Sequence, residues 1–180
     1  MLGNSSVVPW EQGGCLPLPL GSIHITGACS LRCKHCYTDQ KPWKKHLPKE
    51  EAIRTLDLMA PFVQSFSFMG GEPTLHPFIA EICTHAKHNL GKYVLMVSNG
   101  VVFPETLMDE LKGNVNCIKL GMDGVTATRH DAVRGEGSFA KAMKTWEKLP
   151  SRIPVMCKFT LNALNLHELR QIVSFYRDRG

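Results

Sequence analysis

The sequence has no uninterrupted apolar run near the ~18–20 residues that a bilayer-spanning helix needs, so no membrane span is expected. The N-terminal stretch MLGNSSVVPWEQGG lacks a basic leader region and carries Glu11, so it does not read as a secretory signal, and a cytoplasmic setting is expected. There is no internal repeat, no low-complexity tract and no clear linker after residue 20. Charge of one sign is scarce too. The 21 Lys+Arg against 16 Asp+Glu leave a formal +5, which permits an acidic partner without calling for nucleic acid. The seven cysteines do not make a disulfide framework, because their number is odd and Cys15, Cys83, Cys117 and Cys157 are scattered. What remains is globular: 43% hydrophobic and 21% charged residues exclude wholesale disorder and a collagen-like fold. At about 150 residues per domain, 180 residues make one domain or little more, long enough to bury a core.

Residues 1–19 are rich in Gly and Pro without a period and are expected to form an irregular arm, with the folded core over 20–180. A rhythm then begins. Residues 22–26 (SIHIT) alternate as a short strand, and a polar loop over 27–47 follows. Pro48 opens a helical pattern carrying Ile53, Leu56, Met59 and Ala60. The unit repeats: strand 65–69, helix 77–90, strand 93–97, helix 104–112, strand 115–120, helix from Ser138 to the stop at Pro150, and strand 154–160. A last helix begins where Asn165 precedes Glu168 by three residues in capping-box fashion. Five β-α units imply a parallel sheet with right-handed crossovers, either an open doubly wound sheet or a partial barrel. Both place active groups at the C-terminal ends of the strands.

The unusual residues cluster at those ends: GACSLRCKHCY over 27–37, GGEPTLHP over 70–77, SNG over 98–100, GMDG over 121–124, then Thr160 and Asn162. Cys29, Cys33 and Cys36 lie within eight residues. Thiolates bind soft metals, and three on one short loop suit one side of an iron–sulfur cube, with one iron left open to bind a ligand. The alternatives are a structural zinc with His35 as fourth ligand, or free structural thiols. Cys83, Cys117 and Cys157 have no ligand spacing and read as small buried hydrophobes.

Cys-x3-Cys-x2-Cys followed by the aromatic Tyr37, with Gly70-Gly71-Glu72-Pro73 after the second strand, resembles the radical S-adenosylmethionine superfamily over about residues 20–180. The resemblance implies a partial (β/α) barrel of the TIM type, with five βα units present of an expected six. It implies that Cys29, Cys33 and Cys36 hold a [4Fe-4S] cluster whose open iron chelates S-adenosylmethionine. An electron then yields methionine and a 5′-deoxyadenosyl radical, which takes hydrogen from a substrate. It further places Tyr37 against the adenine, Gly70, Gly71, Glu72 and Pro73 near the methionine amino group, and Ser98 and Asn99 beside the ligand. Asp123 matches a serine-leucine-aspartate-glycine segment of one branch, although Gly121 stands where that branch has serine and Met122 where it has leucine. The run His130-Asp131, Arg134-Gly135, Gly137-Ser138-Phe139 is similar to the branch that matures peptides, sulfatases and the pyrroloquinoline quinone precursor. There Arg134 would pair with the methionine carboxylate through its guanidinium fork.

The expected partners are a reductant such as flavodoxin or ferredoxin and a peptide or small-molecule substrate. The basic residues between Arg32 and Arg54 could form a collar for an acidic partner, or a solvated loop. No residue is named as a catalytic acid, base or hydrogen donor. Because a sixth strand is expected and an open fifth edge is unusual, the sequence is expected to be part of a longer core or to be completed by a partner. A non-catalytic module that binds cluster and S-adenosylmethionine, or an inactive fragment, is the competing reading.

Overall fold

The computed structural model describes residues 18–38, 45–163 and 165–178. Five strands, β1 (Leu18–Thr26), β2 (Val63–Gly70), β3 (Tyr93–Ser98), β4 (Cys117–Gly121) and β5 (Val155–Lys158), pair in parallel in the order β1-β2-β3-β4-β5. Between and after them run the helices α1 (Lys49–Met59), α2 (Ile79–Thr84), α3 (Glu105–Leu111), α4 (Ala127–Arg134), α5 (Ser138–Lys148) and α6 (Leu169–Arg177). The order decides between the two sheet solutions. A doubly wound sheet reverses its strand order at a switch point. Here each strand adds beside the last, so right-handed crossovers bring every helix to one face, as in a barrel wall.

Burial follows the same division. Phe68, Met96 and Ile118 lie in register across β2, β3 and β4 and are fully buried. With Ile23, Ile25, Phe66, Val94 and Leu120 they pack against Leu56, Ile79, Ile82, Leu111, Ala142 and Leu149 of the helices. On the other face the register reads His24 beside Met69, Val97 beside Lys119, Lys119 beside Met156 and Gly121 beside Lys158. His24, Met156 and Lys158 are exposed on that second face.

Several element ends differ from expectation for physical reasons. β1 begins at Leu18, inside the expected arm, and the rest of that arm lies outside the described residues. The helix expected over 77–90 is split into α2 and a π-helical turn His85–Asn89, and a separate 3-10 turn Pro73–Leu75 precedes it. Helix α4 was not expected; its only sequence mark is the positive-φ Gly135 that stops it. Ser138 is not the cap of α5. Asp131 is, accepting from the Gly137 and Phe139 amides at 2.8 Å each and from the Ser138 hydroxyl at 2.9 Å. Nor does Asn165 cap α6, because its amide group is spent on Thr160, Asn162 and Asp123.

Phe68 is fully buried and its ring stacks on Phe66, with centroids 6.5 Å apart. Phe68→Ala is expected to cost about 3–5 kcal/mol, read as a lowered urea midpoint with an unchanged slope.

Candidate active site

The loop after β1 carries the three cysteines and is tied down at both flanks. The Gly27 amide donates to the Lys45 carbonyl at 3.0 Å, and the Leu47 amide to Ile25 at 2.9 Å. The Thr26 hydroxyl meets His46 Nδ1 at 2.9 Å across an antiparallel bridge. On the β2 side the Gly71 amide donates to Thr26 and the Glu72 amide to Ala28, both at 2.7 Å. This is what the double glycine is for in the fold. A side chain on Gly70 would overlap the Thr26 carbonyl, and one on Gly71 the Ala28 carbonyl. The close approach is therefore to the cysteine loop of the same chain.

Cys29 and Cys33 are half-buried and Cys36 is exposed. Burial pushes the Cys29 and Cys33 thiols up; Cys36 raises both further, and Cys29 also raises Cys33. Cys29 Sγ receives the Leu31 amide at 3.4 Å and Asn99 Nδ2 at 3.8 Å, and Cys36 Sγ lies 2.9 Å from the Thr38 hydroxyl. Three sulfurs on one loop, with two N–H groups aimed at Cys29 and a hydroxyl beside Cys36, are a donor set that fits an iron–sulfur cube, whose ligands each take a separate iron. Among the described residues no three His, Cys, Asp or Glu side chains gather to hold a single metal ion. His35, the fourth ligand of a zinc reading, places Nε2 3.6 Å from Asp123 Oδ2.

Glu72 is almost fully buried (1% exposed) and ties the end of β2 to the end of β3. Its Oε1 accepts from the Thr74 hydroxyl (2.9 Å), the Thr74 amide (3.3 Å) and the Ser98 hydroxyl (2.8 Å), and its Oε2 from the Asn99 amide (2.7 Å). Burial pushes its carboxyl up, against these hydrogen bonds. Pro73 opens the buried 3-10 turn that carries Thr74. Glu72 and Ser98 thus spend their polar atoms on each other, while the Asn99 side chain reaches the cysteine loop.

At the end of β4, Asp123 is fully buried and bound to Arg134, Nε to Oδ2 at 2.6 Å. Its Oδ1 accepts the Thr160 amide at 2.7 Å and its own amide donates to His130 Nδ1 at 3.2 Å. Burial, helped by the Arg134 charge, pulls His130 down to about 4, so its ring is neutral at ordinary pH. The Arg134 guanidinium lies over Gly121, where an added Cβ would stand 2.5 Å from Nη2. The glycine that replaces the expected serine is therefore the room in which the arginine sits. The last carbonyls of α4 face the cysteine loop, Val133 accepting the Lys34 amide at 2.9 Å and Arg134 lying 3.9 Å from Cys33 Sγ.

The predicted site residues thus fall at one end of the sheet. Tyr37 is 78% exposed, with its hydroxyl 3.4 Å from His24 Nε2 and 4.0 Å from Met69 Sδ, at the top of the open face. Cys83 and Cys117 are buried; Cys157 is half-buried, and burial pushes its thiol up to about 12. Cys15 lies outside the described residues. Sequence reasoning named Asp131 only within a family-like run and Asn165 only as a helix start, and it missed the contacts both make here and the α4 carbonyls. The aspartate three residues before Arg134 was the one visible signal, while the carbonyl contacts are main-chain features with no side-chain signature.

The sheet order, the helices on one face and the cysteine loop at the strand ends define a cofactor-binding β/α half-barrel. The profile of the radical SAM superfamily matches residues 23–177, and the chain belongs to that superfamily. Its members use a [4Fe-4S] cluster and S-adenosylmethionine. The chain is 34% identical over 105 residues to an S-adenosylmethionine-dependent nucleotide dehydratase of a Thermoplasmatales archaeon, covering 58% of this chain and 37% of that protein. It is 34% identical over 149 residues to the mycofactocin maturase MftC of Mycobacterium ulcerans, covering 78% and 38%. Among solved structures, Streptococcus suis SuiB superposes with a TM-score of 0.77 at 17% identity, covering 91% of this chain and 38% of that one. The chain spans less than half the length of these proteins.

Gly71→Ala is expected to cost about 1–3 kcal/mol, because the methyl must displace main chain, and to lower the thermal midpoint accordingly. Asp131→Ala is expected to cost about 0.5–2 kcal/mol at neutral pH through loss of the α5 cap. Burial raises the Asp131 carboxyl, but the hydrogen bonds from Phe139, Gly137 and Ser138 outweigh it and hold it below the usual range. A depressed folded value gives stability that is present above the ordinary aspartate value of about 3.9 and is lost as pH falls through the lower one. The gap between wild type and variant in urea unfolding should therefore close below about pH 4.

Proposed function

We propose that this chain is the core of a radical S-adenosylmethionine enzyme in which Cys29, Cys33 and Cys36 hold the [4Fe-4S] cluster. The observation that carries this is the three-cysteine loop locked to the end of β2 by Gly70 and Gly71 and to the end of α4 beside Arg134. When bound, the cluster supplies the electron that cleaves S-adenosylmethionine to methionine and a 5′-deoxyadenosyl radical, which abstracts hydrogen from the substrate. The chain's own residues bind and orient. Arg134 keeps its two Nη groups over Gly121 and can fork onto the methionine carboxylate, while Asp123 holds its Nε. Glu72 fixes the β2 and β3 ends, and through Asn99 the Cys29 sulfur, rather than offering a free carboxylate. Tyr37 presents an exposed ring to the adenine at the open face.

The substrate is proposed to be a peptide or modified amino acid. MftC, and the subtilosin biosynthesis protein AlbA of Bacillus subtilis at 29% identity over 171 residues, support this reading. The electron is proposed to come from an acidic carrier such as a flavodoxin or ferredoxin, received beside exposed Cys36, Arg32 and Lys34. No described helix is long and apolar enough to cross a membrane.

The test is anaerobic reconstitution with iron and sulfide, reduction with dithionite, addition of S-adenosylmethionine and chromatography for 5′-deoxyadenosine. Wild type is expected to form it, while Cys33→Ala should lose the visible thiolate-to-iron absorption and fall to background. A fully loaded wild type that forms none would make this a non-catalytic binding module.

A further inference from the structure

The open face carries two cations that the proposed cofactor chemistry does not use. Lys119 of β4 is half-buried and Lys158 of β5 is exposed, and no hydrogen bond or ion pair joins either ammonium to a described residue. Period-two alternation puts both on the face opposite Met96 and Ile118, because Gly121 registers with Lys158 and Lys119 lies two residues below Gly121. The Arg134 guanidinium occupies the space over Gly121, so Arg134, Lys158 and Lys119 form a positive strip running down this face from the cysteine end. Asp123 neutralises only the first of them.

We infer that Lys119 and Lys158 are specificity-determining residues that bind a carboxylate side chain of an acidic peptide substrate. The inference rests on the peptide reading above. Two residues of strand span about 6.6–6.8 Å, so a methionine carboxylate held by Arg134 over Gly121 leaves Lys119 for a second anionic group. The flanking positions are apolar, Val97 on β3 and Met156 on β5. Two lysines on this face match one acidic side chain on a peptide better than a triphosphate, whose larger charge needs more donors.

The experiment uses the full chain reconstituted with its cluster in the presence of S-adenosylmethionine. Fluorescence anisotropy measures binding of a fluorescein-labelled glutamate–glycine peptide against glutamine–glycine and lysine–glycine controls. Wild type should prefer the glutamate peptide. Lys119→Met and Lys158→Met should each weaken it about tenfold, and Lys119→Arg should retain binding. The double variant Lys119→Glu with Lys158→Glu should transfer the preference to the lysine peptide, a reversal that a purely structural lysine would not give. Equal binding of the glutamine peptide, no binding of the glutamate peptide, unchanged affinity in the methionine variants, or displacement of the peptide by GTP or CTP with the same lysine dependence would each overturn the inference. Absence of 5′-deoxyadenosine from wild type would instead fail the cofactor reading, and it is measured on the same preparation without peptide.

Discussion

The buried Asp123–Arg134 pair is the interaction on which the site depends. One carboxylate, fully buried at the end of β4, holds the arginine from α4, the amide after β5 and, through its own backbone, His130 and Asn165. The arginine's carbonyl and the one before it then reach the cysteine loop. Removing either partner would leave a charge buried alone, a loss of about 3–5 kcal/mol for such pairs. It would also release β5 and α4 together. The pair therefore couples stability to placement: the residue proposed to orient the cofactor is held by the group that closes the sheet.

The barrel wall arises from a simpler constraint. Strands added one by one with right-handed crossovers put the connecting helices on one face, and apolar residues at alternate strand positions form the core there. The opposite face keeps Lys119, Lys158, His24 and Met69, and it is the surface onto which the strand-end loops open. The proposed chemistry at the loops and the proposed recognition on the open face would thereby be separated along the strands.

The five strands, the three cysteines and the GGEP segment were legible in the sequence because each is a side-chain pattern: alternation, spacing, or glycine where a neighbour approaches. The helix ends were less so. Ser138 and Asn165 look like caps, but Asp131 and the Asp123 network claim them, and such claims are made by residues distant in sequence. Gly121 stands where one branch has serine, and the guanidinium of Arg134 fills the space a side chain there would take. A departure from a family pattern was thus half of a compensated pair, with the other half thirteen residues away.

The central claim is that the cysteine loop and Arg134 together present a cluster to S-adenosylmethionine. The most direct measurement is the electron paramagnetic resonance spectrum of the dithionite-reduced, reconstituted protein with and without S-adenosylmethionine. The account predicts a reduced [4Fe-4S] signal whose g-values move when S-adenosylmethionine is added, because the ligand joins the open iron. A cluster signal identical in both samples, at saturating S-adenosylmethionine, would contradict it.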